Sequence, residues 1–396
     1  MALSIFSVQG VTYLAQLFLA GVLPTNQFAV VRTVEAALQI FSTVAPMGVS
    51  LMVVRLASQS NNSKKNGDQL ASYLAFTAIA GLGTASIVSM SLSVFGSRLE
   101  EEYCKVLIWM VLLTNLSRSA LNFLQGKEKF AVASIVTFLL SIAYLVALPF
   151  FVRKWQLDGW VMAKYAVEAL YLAISLFLLF PYLRNSKPSI SYFREFLSEG
   201  PLISFSLVFR SVIDNSPLLV VSYLSMSSEN VANFGMCTLL VAAGMILPTS
   251  INAVLLPKYG HQLSNGNTLD YMRYKSNLKI LFMASLVSII GVLAAGVLVH
   301  LAINTKYFES LHLLLVCSIV LPIKSFTTLH ANILFLNGQT ATGTKINLTG
   351  AASGVLIASN LFHWFGIEGV ALSMLFVEVG IAVAFRQKAL KLFRPL

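Results

Sequence analysis

Residues 130–183 read FAVASIVTFLLSIAYLVALPFF, then VRKWQLDG, then WVMAKYAVEALYLAISLFLLFPYL. Each flanking run is long enough, as a helix rising about 1.5 Å per residue, to cross a hydrocarbon layer of about 30 Å. Between them stand Arg153, Lys154, Asp158 and Gly159, a polar break too short to hold any structure but a turn. The stretch reads as two membrane spans, near 130–152 and 160–183, and the same grammar runs through the chain.

The composition agrees. Of 396 residues, 57% are hydrophobic and only 11% charged, with a mean hydropathy of +0.78. A soluble domain carries about 25% charged residues, and a single core stops growing at about 250–300 residues. The chain is read as an integral membrane protein. The other spans fall near 3–23, 30–56, 70–95, 103–125, 201–224, 231–257, 278–302, 310–336, 344–362 and 370–388, which makes twelve in all. The connecting breaks are short, and none holds a soluble domain.

The surplus of 27 Lys and Arg over 16 Asp and Glu gives a net charge of +11. Most of that surplus has a topological origin. With a cytoplasmic N-terminus, 17 bases fall on the cytoplasmic side, among them Arg55, Lys127, Arg184, Lys345, Arg386 and Lys388, and 6 on the opposite side. The positive-inside rule therefore places both termini in the cytoplasm. Trp155, Trp160 and Trp364 are expected as interfacial anchors on the other side. No nucleic-acid partner is implied. MALSIFSVQG lacks the basic start and small-residue cleavage site of a signal peptide, so it reads as the first span. Cys104, Cys237 and Cys317 are scattered through apolar runs, and read as small buried hydrophobes rather than disulfide or metal ligands.

The turn at 157–160 repeats. Leu157-Asp158-Gly159-Trp160 through Val167-Glu168 aligns without a gap with Ile367-Glu368-Gly369-Val370 through Val377-Glu378, 210 residues on. Phe123-Leu124-Gln125-Gly126 likewise matches Phe335-Leu336-Asn337-Gly338, at an offset of 212. The chain therefore reads as two six-span halves, 1–183 and 201–396, joined by an amphipathic cytoplasmic linker at 184–200. Halves with an even span number enter from the same side. Such repeats are related by an axis along the membrane normal, with a substrate site between them and alternating access by rocking.

Four bases (Arg118, Lys164, Arg210 and Lys324) and four carboxylates (Glu35, Glu168, Asp214 and Glu378) fall inside the spans. Each costs about 2.5–3.5 kcal/mol at a helix centre, so they must line an interior or pair. The spacings offer Arg210 with Asp214, Lys164 with Glu168 and Arg32 with Glu35 along single helices. By depth, Arg118, Arg210 and Lys324 are expected deep in their spans, facing only Asp214 near the middle, and Glu35, Glu168 and Glu378 one or two turns from the outer face. A weakly cationic chamber of that kind suits a phosphate-bearing substrate. Glu168, Glu378 and Glu35 are candidates for binding a coupling proton. His330 reads as a hydrogen-bonded helix contact. Pro46, Pro217, Pro248 and Pro322 are expected to kink their helices. The sequence carries no P-loop, no zinc-protease or nucleophile-elbow motif, and no metal or cofactor signature, so no enzyme is expected.

Several stretches resemble the lipid-linked oligosaccharide flippases, the polysaccharide-exporter family of the multidrug/oligosaccharidyl-lipid/polysaccharide (MOP) exporter superfamily. They are Gln16 through Pro24 with Gln27-Phe28-Ala29; Met47-Gly48-Val49 with Arg55-Leu56-Ala57-Ser58; Ile213-Asp214-Asn215; Val231-Ala232-Asn233-Phe234-Gly235; Leu255-Leu256-Pro257; and Gly366 through Ala371. The resemblance implies an all-α membrane protein whose twelve helices form two six-helix lobes in a V around a central cavity. It also implies flipping of an undecaprenyl-pyrophosphate-linked repeat unit across the bacterial inner membrane, for O-antigen or another surface polysaccharide. By position, Arg118, Lys164, Arg210 and Lys324 would engage the pyrophosphate, with Asp214 the acidic position of the seventh span. A polysaccharide polymerase and a chain-length regulator would be its partners, and the chain itself reads as a monomer. A drug/cation antiporter and a peptidoglycan-precursor flippase of the same fold are the alternatives.

Overall fold

A computed structural model describes residues 2–44, 53, 63–95, 99–127, 129–225, 227–264, 271–302, 307 and 309–392. Pro46, the stretches 47–49 and 55–58, and Arg55 lie outside the described residues. Within them the chain is helical throughout: α1 (Ala2–Val22), α2 (Thr25–Val44), α3 (Ser63–Phe95), α4 (Leu99–Gly126), α5 (130–155), α6 (157–183) and α7 (Ile190–Leu224) come first. Then come α8 (Ser228–Gly244), α9 (Ile246–Ser264), α10 (Tyr271–Ala302), α11 (Ser310–Ser318), α12 (Val320–Leu336), α13 (340–365) and α14 (367–390). Eight helical stretches among the described residues are long and apolar enough to cross a membrane. Two of them are hairpins that each supply two crossings. With α1 and α2, 21 and 20 residues long, the expected twelve are accounted for.

Helix boundaries follow from backbone chemistry. Pro24 disfavours helical geometry at Leu23 and ends α1. Ser227 caps α8, its hydroxyl accepting the Asn230 N–H. The breaks after Gly244 and Ser318 each sit four residues before a proline, Pro248 and Pro322. A proline supplies no N–H to the carbonyl four residues back and its ring clashes there, so the helix is interrupted once between α8 and α9 and once between α11 and α12, with right-handed backbone kept at Met245 and Ile319. Pro217 behaves otherwise: α7 runs past it without a break to Leu224.

The repeat is written into the backbone. Gln156 (φ 49°, ψ −120°) and Gly366 (φ 59°, ψ −140°) stand 210 residues apart, and both adopt the first central position of a type II′ turn. Three residues on, a Cβ on Gly159 would meet the Phe151 carbonyl oxygen at 2.2 Å, and one on Gly369 the Leu361 carbonyl oxygen at 2.1 Å. The hairpins then zip up antiparallel: Thr137 with Tyr171 through their hydroxyls at 3.1 Å, and Gly343 against Phe385, Gly350 against Ile381, Gly354 against Val377. Upstream, Lys127 N–H to Phe123 and Lys129 N–H to Leu124 are echoed by Asn337 to Ile333 and Gln339 to Leu334. Those bonds hold the offset at 210. The Phe123–Gly126 match at 212 is thus two residues out of structural register, and only the 157–168 match is in it.

By contact, the chain forms two compact units, 34–211 and 2–33 with 212–396. This departs from the partition at 1–183, 184–200 and 201–396. In the second unit, Tyr307 donates its hydroxyl to the Ala20 carbonyl at 3.0 Å and meets Phe28 edge-to-face at 5.5 Å. Arg32 donates through Nε to the Gly235 carbonyl at 3.2 Å. These bonds seat α1 and the first turns of α2 with the later helices. In the first unit, the non-helical part of the expected linker is 184–189. It is fastened where Lys187 N–H donates to Asp68 at 2.7 Å and Ser189 N–H to Ser72 at 2.8 Å. From Ile190 the expected linker is already α7, whose Phe193 and Phe196 dock edge-on against Phe76 and Tyr73.

Filling either glycine approach must push backbone, at about 1–3 kcal/mol. We therefore expect Gly159→Ala and Gly369→Ala each to lower the melting temperature of the detergent-solubilised protein. Gln156→Gly should raise it, by relieving a positive φ that costs a side-chain-bearing residue about 1 kcal/mol. Unchanged melting of both glycine variants would contradict the close approach.

Candidate functional site

Among the described residues an intramembrane ion pair stands in each unit, and neither of these two pairs joins residues on a single helix. In the first unit, Lys164 Nζ of α6 lies 2.6 Å from Glu35 Oε1 of α2, with both side chains four-fifths or more buried (17% and 15% exposed). The ammonium also stands 5.2 Å from the ring centre of Trp160. Glu168, one turn beyond Lys164, lies beside Thr114, Ser117 and the charge of Arg118, all on α4. Tyr144 of α5 completes the cluster next to Glu35, Glu168 and Trp160. In the second unit, Lys324 Nζ of α12 is 2.7 Å from Asp214 Oδ1 of α7. Both line a cavity of about 20 Å³ with Ser216, Pro217, Ser373 and the buried Glu378. That volume admits about one water or an ion of similar size.

The pairing follows from energetics. A lone ammonium or carboxylate in hydrocarbon costs several kcal/mol, whereas an opposed pair at hydrogen-bond distance offsets that cost. Lys324, expected deep, shares its cavity with Glu378 as well as Asp214, so that base and that glutamate are not separated by depth. Arg118 is the base whose side chain is exposed from its unit, and Arg210 is half-buried on α7.

The repeat-related glutamates occupy matching places with different partners. At the 210-residue offset Glu168 matches Glu378, but Lys164 matches Met374 and Lys324 matches Thr114. The acid is retained in both units while the base has changed helix. Trp160, expected at an interface, is fully buried, because its ring faces the Lys164 ammonium. Trp155 and Trp364, by contrast, are exposed. His330 is buried, with Nε2 2.6 Å from the Tyr274 hydroxyl, a helix contact as expected. Cys104, Cys237 and Cys317 are buried and reduced. Tyr144, Thr114 and Ser117 escaped sequence reasoning, since a single hydroxyl in an apolar run carries no signal until its neighbour is known.

The sequence profile of the polysaccharide biosynthesis protein family matches residues 1–260, well over half of the chain. The chain belongs to the polysaccharide biosynthesis protein family. Solved structures agree on the fold. An inward-facing multidrug resistance MATE family transporter of the MOP superfamily superposes with a TM-score of 0.77 at 17% identity, covering 99% of each chain. A MATE protein in the straight conformation gives 0.70 at 18%, over 99% of this chain and 95% of that one. A MOP superfamily transporter from Pyrococcus furiosus, described as having a binding pocket of reverse polarity, gives 0.65 at 16%, over 100% and 96%. None of the curated proteins matches. Family and fold together make the chain a multi-pass, all-helical membrane protein of the polysaccharide biosynthesis protein family with the fold seen in MOP superfamily transporters.

The Lys164–Glu35 pair generates a double-mutant test. Either Lys164→Met or Glu35→Gln alone leaves an uncompensated charge or a lost partner, and should cost about 2 kcal/mol or more of stability. The double variant should recover most of that loss. Strictly additive losses would show that the two groups do not interact.

Proposed function

We propose that this transporter moves an undecaprenyl-pyrophosphate-linked oligosaccharide repeat unit from the cytoplasmic to the periplasmic leaflet by alternating access. The observation that carries the reading is the family match across residues 1–260, on a chain with bases placed inside its membrane spans. Arg118 and Arg210 suit the pyrophosphate best, since a guanidinium offers a planar pair of donors to phosphate oxygens and keeps its charge. Lys164, Lys324 and Asp214 join them in this reading, with each lysine held by a carboxylate until substrate competes for it. Glu168, Glu378 and Glu35 are the candidates for a coupling proton. The setting is the bacterial inner membrane, with both termini cytoplasmic and the chain acting as a monomer. The product would pass to a polymerase and chain-length regulator building O-antigen or another surface polymer.

One observation favours a rival reading. The cavity of the second unit sets two carboxylates, Asp214 and Glu378, against the single ammonium of Lys324, a balance that suits a cationic drug exchanged for a proton.

Deleting the gene separates the two. Loss of surface polymer with lipid-linked repeat units retained on the cytoplasmic side is expected. Intact polymer with heightened sensitivity to lipophilic cations would establish the rival. In a complementation assay, Arg210→Ala at normal protein level should abolish polymer export, and normal export in that variant would refute the site assignment.

A further inference from the structure

A second cavity in the second unit does not include its ion pair. It is a groove of about 440 Å³ along the α13–α14 hairpin, running from Lys345 and Thr349 to Ile357 on one helix and from Ala384 to Phe376 on the other. Its walls are apolar. Its floor is cut by small residues: Ser353, Ala384, Gly350 and Gly380. Gly350 is tightly covered by Ile381, whereas a Cβ on Gly380 would meet nothing within 4 Å. The twelve-residue advance from Lys345 to Ile357 corresponds to about 18 Å of helix, close to the depth of one leaflet's hydrocarbon. Lys345 marks one end. Because the hairpin is antiparallel, Arg386 and Lys388 of α14 lie at that same end, and all three side chains are exposed.

We propose that this groove holds the isoprenoid tail of the carrier lipid while Lys345 faces its phosphate. Three features select that occupant. The apolar trough matches a hydrocarbon chain. The basic end matches an anionic headgroup at the membrane surface, where a base near the surface attracts anionic lipid. The volume matches a single strand: at about 30 Å³ per water-sized group, 440 Å³ takes roughly fifteen such groups, about three isoprene units next to the phosphate. The notches at Ser353, Gly380 and Ala384 leave room for methyl branches along that strand. The inference rests on the reading of the substrate as lipid-linked and deepens it: Lys345 would meet the phosphate at the membrane surface as the tail enters the last hairpin, before the head passes to the intramembrane bases.

The test uses the full-length protein in nanodiscs and a polyprenyl monophosphate carrying a diazirine near its head-proximal isoprene units. After irradiation, labelled peptides are mapped by mass spectrometry. Labelling of residues between 345–357 or 376–384, displaced by unmodified polyprenyl phosphate, is expected. Gly380→Leu projects into the groove from a position where an added Cβ meets no heavy atom within 4 Å, and should reduce that labelling about tenfold or more. Gly380→Ala adds only a methyl group to a helix and should leave it nearly unchanged. Equal labelling by a diazirine phosphatidylglycerol that polyprenyl phosphate does not displace would overturn the proposal in favour of bulk lipid. So would an unlabelled hairpin in monodisperse protein. The probe carries no sugar, so the two readings fail separately. A labelled groove in a protein whose deletion leaves polymer intact overturns the transport reading alone, and an unlabelled groove in a protein whose deletion abolishes polymer overturns the groove alone.

Discussion

Hydrocarbon offers no hydrogen-bond partner, and that constraint governs nearly everything in this structure. Every backbone N–H and C=O within a span must be satisfied inside the segment, which leaves the helix as the default. The helix can then be interrupted only where the interruption is itself chemically provided for. The chain interrupts it with proline in α8–α9 and α11–α12, four residues beyond each break. At the two hairpin tips it uses a type II′ turn, with a glycine three residues later pressed on a carbonyl of the outgoing helix.

The same constraint decides where charge goes. Eight ionisable groups enter the spans, and the described pairs Lys164–Glu35 and Lys324–Asp214 join helices far apart in the chain. Pairing along one helix was open to Lys164, four residues before Glu168, yet its ammonium meets Glu35 on α2. A contact between helices neutralises the charge and also fixes two helices against each other. The repeat retains Glu168 and Glu378 in register and moves the base. The two units are thus built on one backbone plan with different electrostatics.

The architecture was largely legible from the residues. Span count, helical class and the 210-residue repeat follow from hydropathy and from acidic-Gly and Val-Glu recurring at one spacing, signals that are local and therefore visible in one dimension. Less legible was anything that depends on which helix lies beside which. The 212-residue match looked as good as the 210-residue one, yet backbone hydrogen bonds at Lys129 and Gln339 show it to be displaced by two residues. Trp160 looked like an interfacial anchor because it follows a polar break, and it is buried because Lys164 lies against its ring. Tyr144, Thr114 and Ser117 were invisible for the same reason.

By itself the sequence determined that the protein is a helical, multi-pass membrane protein with a doubled plan, because apolar length and helix-breaking chemistry act along the chain. Tertiary structure decided the partners. It placed α1 and the first turns of α2 with 212–396 through Tyr307 and Arg32, matched Lys164 and Lys324 each to a carboxylate, and opened a groove at Gly380, where a missing side chain means nothing until the facing helix is in place. The physical reason is common to all three. The cost of an unpaired charge or an unfilled gap is set by what lies across the interface, and that neighbour is dozens to hundreds of residues away in the chain.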